Sequence, residues 1–242
     1  MKRSSLQKFS LSKSIIFENE NYFAINKPSS YTVLDDRKFK NRDSILEMAR
    51  KSFPNCQVCH RIDRDTSGVL VFAKNQKAYR NLSIQFEERE VAKMYHALVH
   101  GKHELKEELI EGPIFFANGK SKIAKEGKPS ATLVETISVN GNYSLLECMP
   151  LTGRTHQIRV HLMSIGAAIV GDELYGGKSL FLSDFKKGFN TSKEKKENPL
   201  MSRSALHAYK IRFKDLDEEL IQIEAPYHKD ILVTLKQLLK HA

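Results

Sequence analysis

Asp63 stands between Arg61 and Arg64 in the run His60-Arg61-Ile62-Asp63-Arg64-Asp65-Thr66-Ser67-Gly68, directly ahead of Val69-Leu70-Val71-Phe72-Ala73. The apolar run reads as a buried strand. The polar stretch before it reads as a loop held by that strand, the kind of place where reactive groups collect. Guanidinium groups favour the charged form of a carboxylate beside them. Such a carboxylate suits a nucleophile or an electrostatic stabiliser, and it does not suit a proton donor.

Other side chains have chemical potential that their spacing tests. Thr155 is predicted to cap a helix whose apolar face is Ile158, Leu162 and Ile165, closed by Gly166. Arg159 then falls in the first turn, where the helix macrodipole disfavours a cation. A residue set against its local preference often has a tertiary partner; the plainer reading is a solvent-facing arginine. Tyr95 shares strand parity with Val91, Ala97 and Val99, which by itself describes a core tyrosine. His96 and His100 would share a metal ion on a helix. On the strand expected over Val91–Gly101, four steps of ~3.3 Å hold them about 13 Å apart, so no metal site is expected.

Two further patterns fail on their details. Cys56-Gln57-Val58-Cys59-His60 has the form of a c-type haem attachment site, but no export signal accompanies it. A zinc site on the same cysteines lacks a second ligand pair, since Cys148 alone remains. Gly171–Ser179 approaches a phosphate-binding loop, yet the spacing puts Asp172 where the first glycine is required. Reduced thiols and an ordinary turn are expected.

The run HRIDRDTSGVLVFAK resembles the signature of the RluA-type pseudouridine synthases, with Ile62 in place of leucine. Lys93–Gly101, Gly153–Leu162, Gly171–Gly176 and Leu206–Ala208 match the same family in the same order, and the resemblance covers roughly Ile15 to Pro226. It implies an RNA isomerase that converts uridine to pseudouridine without a cofactor. Asp63 would be the catalytic carboxylate, attacking C1′ or removing the C2′ proton. Arg159 would lie against it, with Arg154 as the other candidate for that place or for a phosphate contact. Tyr95 would lie beneath the uracil and help remove the C5 proton. Arg61 would fill the space left by a flipped nucleotide or hold its phosphate, and His60, His156 and Ile158 would complete the substrate side. The target would be ribosomal or transfer RNA. Too few residues precede the first expected strand for the S4-type domain of several relatives, so substrate choice would lie within the catalytic domain.

A chain of 242 residues, 40% hydrophobic, can bury one large core. Lys and Arg exceed Asp and Glu by 39 − 29, a net +10 that favours a polyanionic partner. No apolar stretch approaches the ~20 residues of a membrane span. A cytoplasmic monomer is expected. The alternatives are a non-catalytic RNA-binding protein, for which Asp63, Tyr95 and Arg159 would not be needed together, and a metal-dependent nuclease, for which no carboxylate cluster is evident.

The elements that must position these residues follow from patterning. Residues 1–14 read as a basic tail and 15–242 as one catalytic domain, with a basic loop over about 178–204. Strands are expected at Ile15–Phe17, Tyr22–Pro28, Leu133–Ile137, Tyr143–Cys148 and around Ile211, Phe213 and Ile221–Ile223. Asn140-Gly141-Asn142 is a hairpin signal. Helices are expected at Arg42–Phe53 and Gln76–Arg89, and at the C-terminus on a stripe of Ile231, Leu232, Leu235, Leu238 and Leu239. The sum is an α+β domain: a largely antiparallel or mixed central sheet flanked by helices.

Overall fold

The structure is a computed structural model that describes residues 9–35, 44–189 and 197–241. Its elements are α1 (Leu11–Ser14), β1 (Ile15–Glu18), β2 (Tyr22–Lys27), α2 (Ile45–Arg50), β3 (Gln57–Val58), β4 (Ser67–Ala73), α3 (Gln76–Glu87), β5 (Ala92–His100), β6 (Glu108–Glu111), β7 (Ile114–Ala117), β8 (Lys120–Ile123), β9 (Ala131–Asn140), β10 (Tyr143–Pro150), α4 (Gln157–Ser164), β11 (Leu206–Lys214), β12 (Leu220–Glu224) and α5 (Lys229–His241). Ten strands form one sheet whose main path is β1-β2-β4-β11-β5-β10-β9-β6, while β7 and β8 form a separate hairpin. This is a single α+β domain on a mixed central sheet.

Strand β4 is buried along its whole length, which explains its unbroken apolar run. It pairs antiparallel with β2 and parallel with β11. Strand β11 in turn pairs antiparallel with β5. It therefore joins an N-terminal group of strands to a second group built on β5, β10 and β9. The core divides the same way. One cluster gathers Phe23, Leu70, Phe72 and Leu82 with Phe213 of β11. The other gathers Leu98, Leu146, Leu162 and Leu238 with Leu206 of β11. Tyr95 packs against both.

The seam needs Gly68. Its φ is +113°, and a Cβ there would lie 2.2 Å from the Ala208 carbonyl oxygen. Beside it, Ser67 Oγ lies 2.9 Å from His207 Nδ1, and His207 Nε2 lies 3.0 Å from the Ala225 carbonyl. The carbonyl can only accept, so the imidazole proton sits on Nε2 and Ser67 donates to Nδ1.

Several expectations are revised. Part of the tail expected over residues 1–14 is structured: Phe9 packs on the core and α1 buries Leu11. The earlier part of that tail, Arg42 at the start of the first expected helix, and Lys193, Lys195 and Lys196 lie outside the described residues. Helix α2 begins after Ser44, whose side chain accepts from Glu47 N while the Glu47 carboxylate accepts from Ser44 N. The loop expected over 178–204 is closed at its base, because Leu180 and Met201 are buried and bridged to each other. On α5, Ile231 and Leu238 are buried, but Leu232 and Leu239 are exposed and Thr234 takes a core position.

Candidate active site

Asp63 lies just before β4, on a loop held from both sides. Ile62 is buried in the first core cluster. His60 stacks on Phe86 at 5.0 Å, and its Nε2 accepts a 3.0 Å hydrogen bond from Val71 N. Burial drives the His60 pKa down to about 3, so the ring is a neutral strut. That differs from its expected substrate contact: the nitrogen is engaged by the backbone, although the ring borders the cleft. Lys27, fully buried, donates to the carbonyls of Pro28, Tyr31 and Arg64 and ties the end of β2 to the same loop.

Helix α4 brings Arg159 to Asp63. Its N-cap is His156, in the left-handed region at φ +54°, and not the expected Thr155, whose side chain makes no cap. The turn is held instead by Gln157, the first helical residue. Its Oε1 accepts from Thr152 Oγ1 and Arg154 N, and its Nε2 donates to the Ala131 carbonyl and Thr132 Oγ1. With the start of α4 fixed to β9, Arg159 Nη1 lies 3.2 Å from Asp63 Oδ2. Residues 96 positions apart in the chain thus form the expected pair.

Arg159 has a second carboxylate that the sequence reading gave no role. Asp172 takes its Nε and Nη2 at 2.6 and 2.7 Å in a two-pronged contact. Its side chain is 1% exposed, against 26% for Asp63. Burial alone would weaken the guanidinium's charge, but Asp172 first and Asp63 next outweigh it and push the arginine's pKa up. Tyr175 was missed as well. The Arg159 guanidinium sits 4.8 Å above its ring, and its hydroxyl lies 2.8 Å from both His156 Nδ1 and Ser121 N. The phenol accepts the Ser121 N–H, so its own proton goes to Nδ1 and leaves His156's proton on Nε2. That nitrogen is 3.9 Å from Asp63 Oδ2. Burial lowers the His156 pKa, against the pull of Asp63, and favours the neutral ring. Both missed residues belong to the turn Gly171–Gly176. The available signal was Asp172 itself, because an acid in a segment otherwise fit for burial calls for a cation.

These groups stand where two clefts meet. One, of about 880 Å³, is lined by Asp63, Tyr95, Ile158 and Leu206. The other, of about 1110 Å³, is lined by Leu34, Phe116, Leu174 and Arg203. Arg61, Asp63, His156 and Arg159 border both. Arg61 is exposed at this junction, while Arg154 borders the first cleft with its Nε 3.2 Å from the Pro129 carbonyl. Burial first, then the charge of Asp63, raises the Tyr95 pKa well above its ordinary value. Such a phenol keeps its proton, which opposes the expected proton-removing role. Among the described residues, no group of three or more His, Cys, Asp or Glu could hold a metal ion, and no helix is long and apolar enough to cross a membrane.

Comparison with known proteins identifies the family. The family model for RNA pseudouridylate synthase matches residues 21–164. The dual-specificity RNA pseudouridine synthase RluA of Vibrio vulnificus is 37% identical over 176 residues, 69% of this chain and 70% of its own. Ribosomal large subunit pseudouridine synthase C of the same bacterium is 33% identical over 228 residues, 93% of this chain and 69% of its own. Among solved structures, human RNA pseudouridylate synthase domain containing 4 superposes with a TM-score of 0.71 at 21% identity, covering 95% of this chain and 94% of its own, and shows the same fold. The chain belongs to the RluA-type RNA pseudouridylate synthases, isomerases that convert uridine to pseudouridine in RNA.

Proposed function

We propose that Asp63 is the reacting carboxylate of this isomerase, with Arg159 as its partner and Tyr95 as the support for the uracil ring. The observation that carries the reading is the 3.2 Å contact between Arg159 and Asp63 at the wall of the cleft that Tyr95 lines. Pseudouridine formation breaks the N1–C1′ bond, turns the base and joins C5 to C1′. The charged carboxylate attacks C1′ or takes the C2′ proton. Both contacts from Arg159 and His156 fall on Oδ2, and Oδ1 is the oxygen left for the sugar. Asp172 shares the same guanidinium, so one negative charge remains on the trio and Asp63 keeps its nucleophilic character.

The target base has to leave its stack to reach Asp63. Arg61, exposed beside the carboxylate, fills the vacated space or holds the displaced phosphate. Ile158 and Leu206 give the ring apolar walls, and the protonated phenol of Tyr95 can donate to it. No electron or group enters or leaves in the reaction, so it needs no cofactor. The relative matched along most of this chain is named for the large ribosomal subunit, which supports ribosomal RNA as the target. The cytoplasm suits such an enzyme and its free thiols.

Asp63→Asn tests the reading. It keeps the side chain's size, so RNA affinity should stay within about twofold, whereas tritium release from C5-labelled uridine RNA should cease. Undiminished release would remove Asp63 from the reaction.

A further inference from the structure

The hairpin of β7 and β8 is tied to the active site. Ser121, 1% exposed, donates its N–H to the Tyr175 hydroxyl and its Oγ–H to the Thr155 carbonyl at 2.7 Å. Ile114 is buried beside Val160 and Tyr175. In the hairpin register Phe116 stands opposite Ser121, and Ile114 opposite Ile123, so Phe116 shares the face that turns toward the body. A ring on that face would ordinarily be covered. Phe116 is 50% exposed instead, because it overhangs the second cleft, edge-on to His156 at 6.2 Å. The alternate positions carry Phe115, Lys122 and Lys120, all exposed, and the Lys120 ammonium reaches back to 5.6 Å from the Tyr175 ring centroid at the hairpin's edge.

We propose that this hairpin is a stacking shelf for the nucleotide next to the target uridine, with Phe116 as the platform and the adjacent lysines meeting the strand's phosphates. The proposal rests on the function proposed above, since it takes the first cleft as the place of the uridine. The two clefts share the ridge of Arg61, Asp63, His156 and Arg159, so a strand with one base in the first cleft crosses into the second at its next nucleotide. An uncovered aromatic ring takes any unpaired base, because every base has a π-face. The charged lining of the second cleft is mixed, with Arg61 and Arg64 beside Asp35, Asp65 and Glu173. That suits a hydrogen-bonding base rather than a run of phosphates. Phosphates find cations outside the cleft, at Lys120 and Lys122 along β8.

The shelf predicts a strand that is unpaired on at least one side of the target. The probe is a short single-stranded RNA of adenosines with one uridine and 2-aminopurine on its 5′ or its 3′ side, titrated with the full chain. On one of the two sides, 2-aminopurine emission should fall on binding. Phe116→Ala should abolish that change and weaken binding about tenfold, while Phe116→Trp should preserve both. An RNA lacking a base at that position should bind the alanine variant and the parent equally. The shelf is overturned if neither position responds in the parent, if the alanine variant responds as the parent does, or if the probe fails to bind. Emission reports binding without turnover. Normal pseudouridine formation with no Phe116 effect would sink the shelf alone, and a normal Phe116 effect without pseudouridine formation would sink the assigned chemistry alone.

Discussion

Asp172 and Asp63 share one guanidinium on unequal terms. The buried acid takes two of its nitrogens and the cleft acid takes one. Asp172 therefore aims Arg159 and offsets part of its charge, which on the function proposed above makes it a positioning residue. Asp172→Asn should lower kcat on the order of 10²-fold, as loss of a preorganised electrostatic contact does, with KM for RNA unchanged. It should also cost about 3 kcal/mol of stability, because it leaves a buried arginine with half its partner. A fall in KM-dependent binding with kcat intact would contradict the assignment. His207 gives a separate, pH-dependent expectation. Burial lowers its pKa to about 4. In the unfolded chain it takes a proton near 6.5, so the unfolded state binds more protons between those values. Its contribution to stability should be complete above about pH 6.5, fall as the pH drops toward 4, and level off below. Urea unfolding of the parent and His207→Gln over that window should give a flatter pH slope for the variant.

At the scale of elements, the Asp63 loop depends on how closely β4 and β11 approach. Gly68→Ala would force a Cβ against Ala208 at a positive φ and should cost about 3 kcal/mol, read as a lower urea midpoint. An unchanged midpoint would mean the seam yields more easily than its geometry implies. This scale also shows what local patterning could and could not reveal. The strands β4, β5, β9 and β10 and the helix α3 were legible because their apolar periods are strong and Asn75 caps α3 through Ala78 N. The start of α4 was not. Thr155 has the better capping side chain, but Gln157 anchors the turn through Thr132 and Thr152, partners that no local window contains. The stripe on α5 was too broad for a similar reason: only its Ile231 and Leu238 edge joins the second core cluster, so Leu232 and Leu239 stay in water.

The whole molecule carries an excess of positive charge, and its distribution has a measurable consequence. If Lys120 and Lys122 both meet phosphates, replacing them with alanine should reduce the slope of log affinity against log salt by about 1.4 for a single strand. Fluorescence anisotropy over a salt series would show it; an unchanged slope would place the RNA backbone elsewhere. The pairing of Asp63 with Arg159 could be anticipated from the motifs, since each residue type is ill placed without a partner. Asp172 signalled only that some cation was needed; that the cation is Arg159, and that Tyr175 joins it, could not be read, because the 171–176 turn meets Arg159 only once α4 has docked. The parallel meeting of β4 with β11 was equally hidden, as nothing in either strand's own pattern names a neighbour so distant.

That meeting bears on how the protein is born. Ser67 and His207 lie 140 residues apart. At ~5–20 residues per second, a ribosome needs on the order of ten seconds or more to supply the second after the first. Throughout that interval β4 and β5 each present an open backbone edge, ready to recruit a wrong neighbour. A nascent chain of this enzyme should therefore be a client for chaperones until its next-to-last strand emerges.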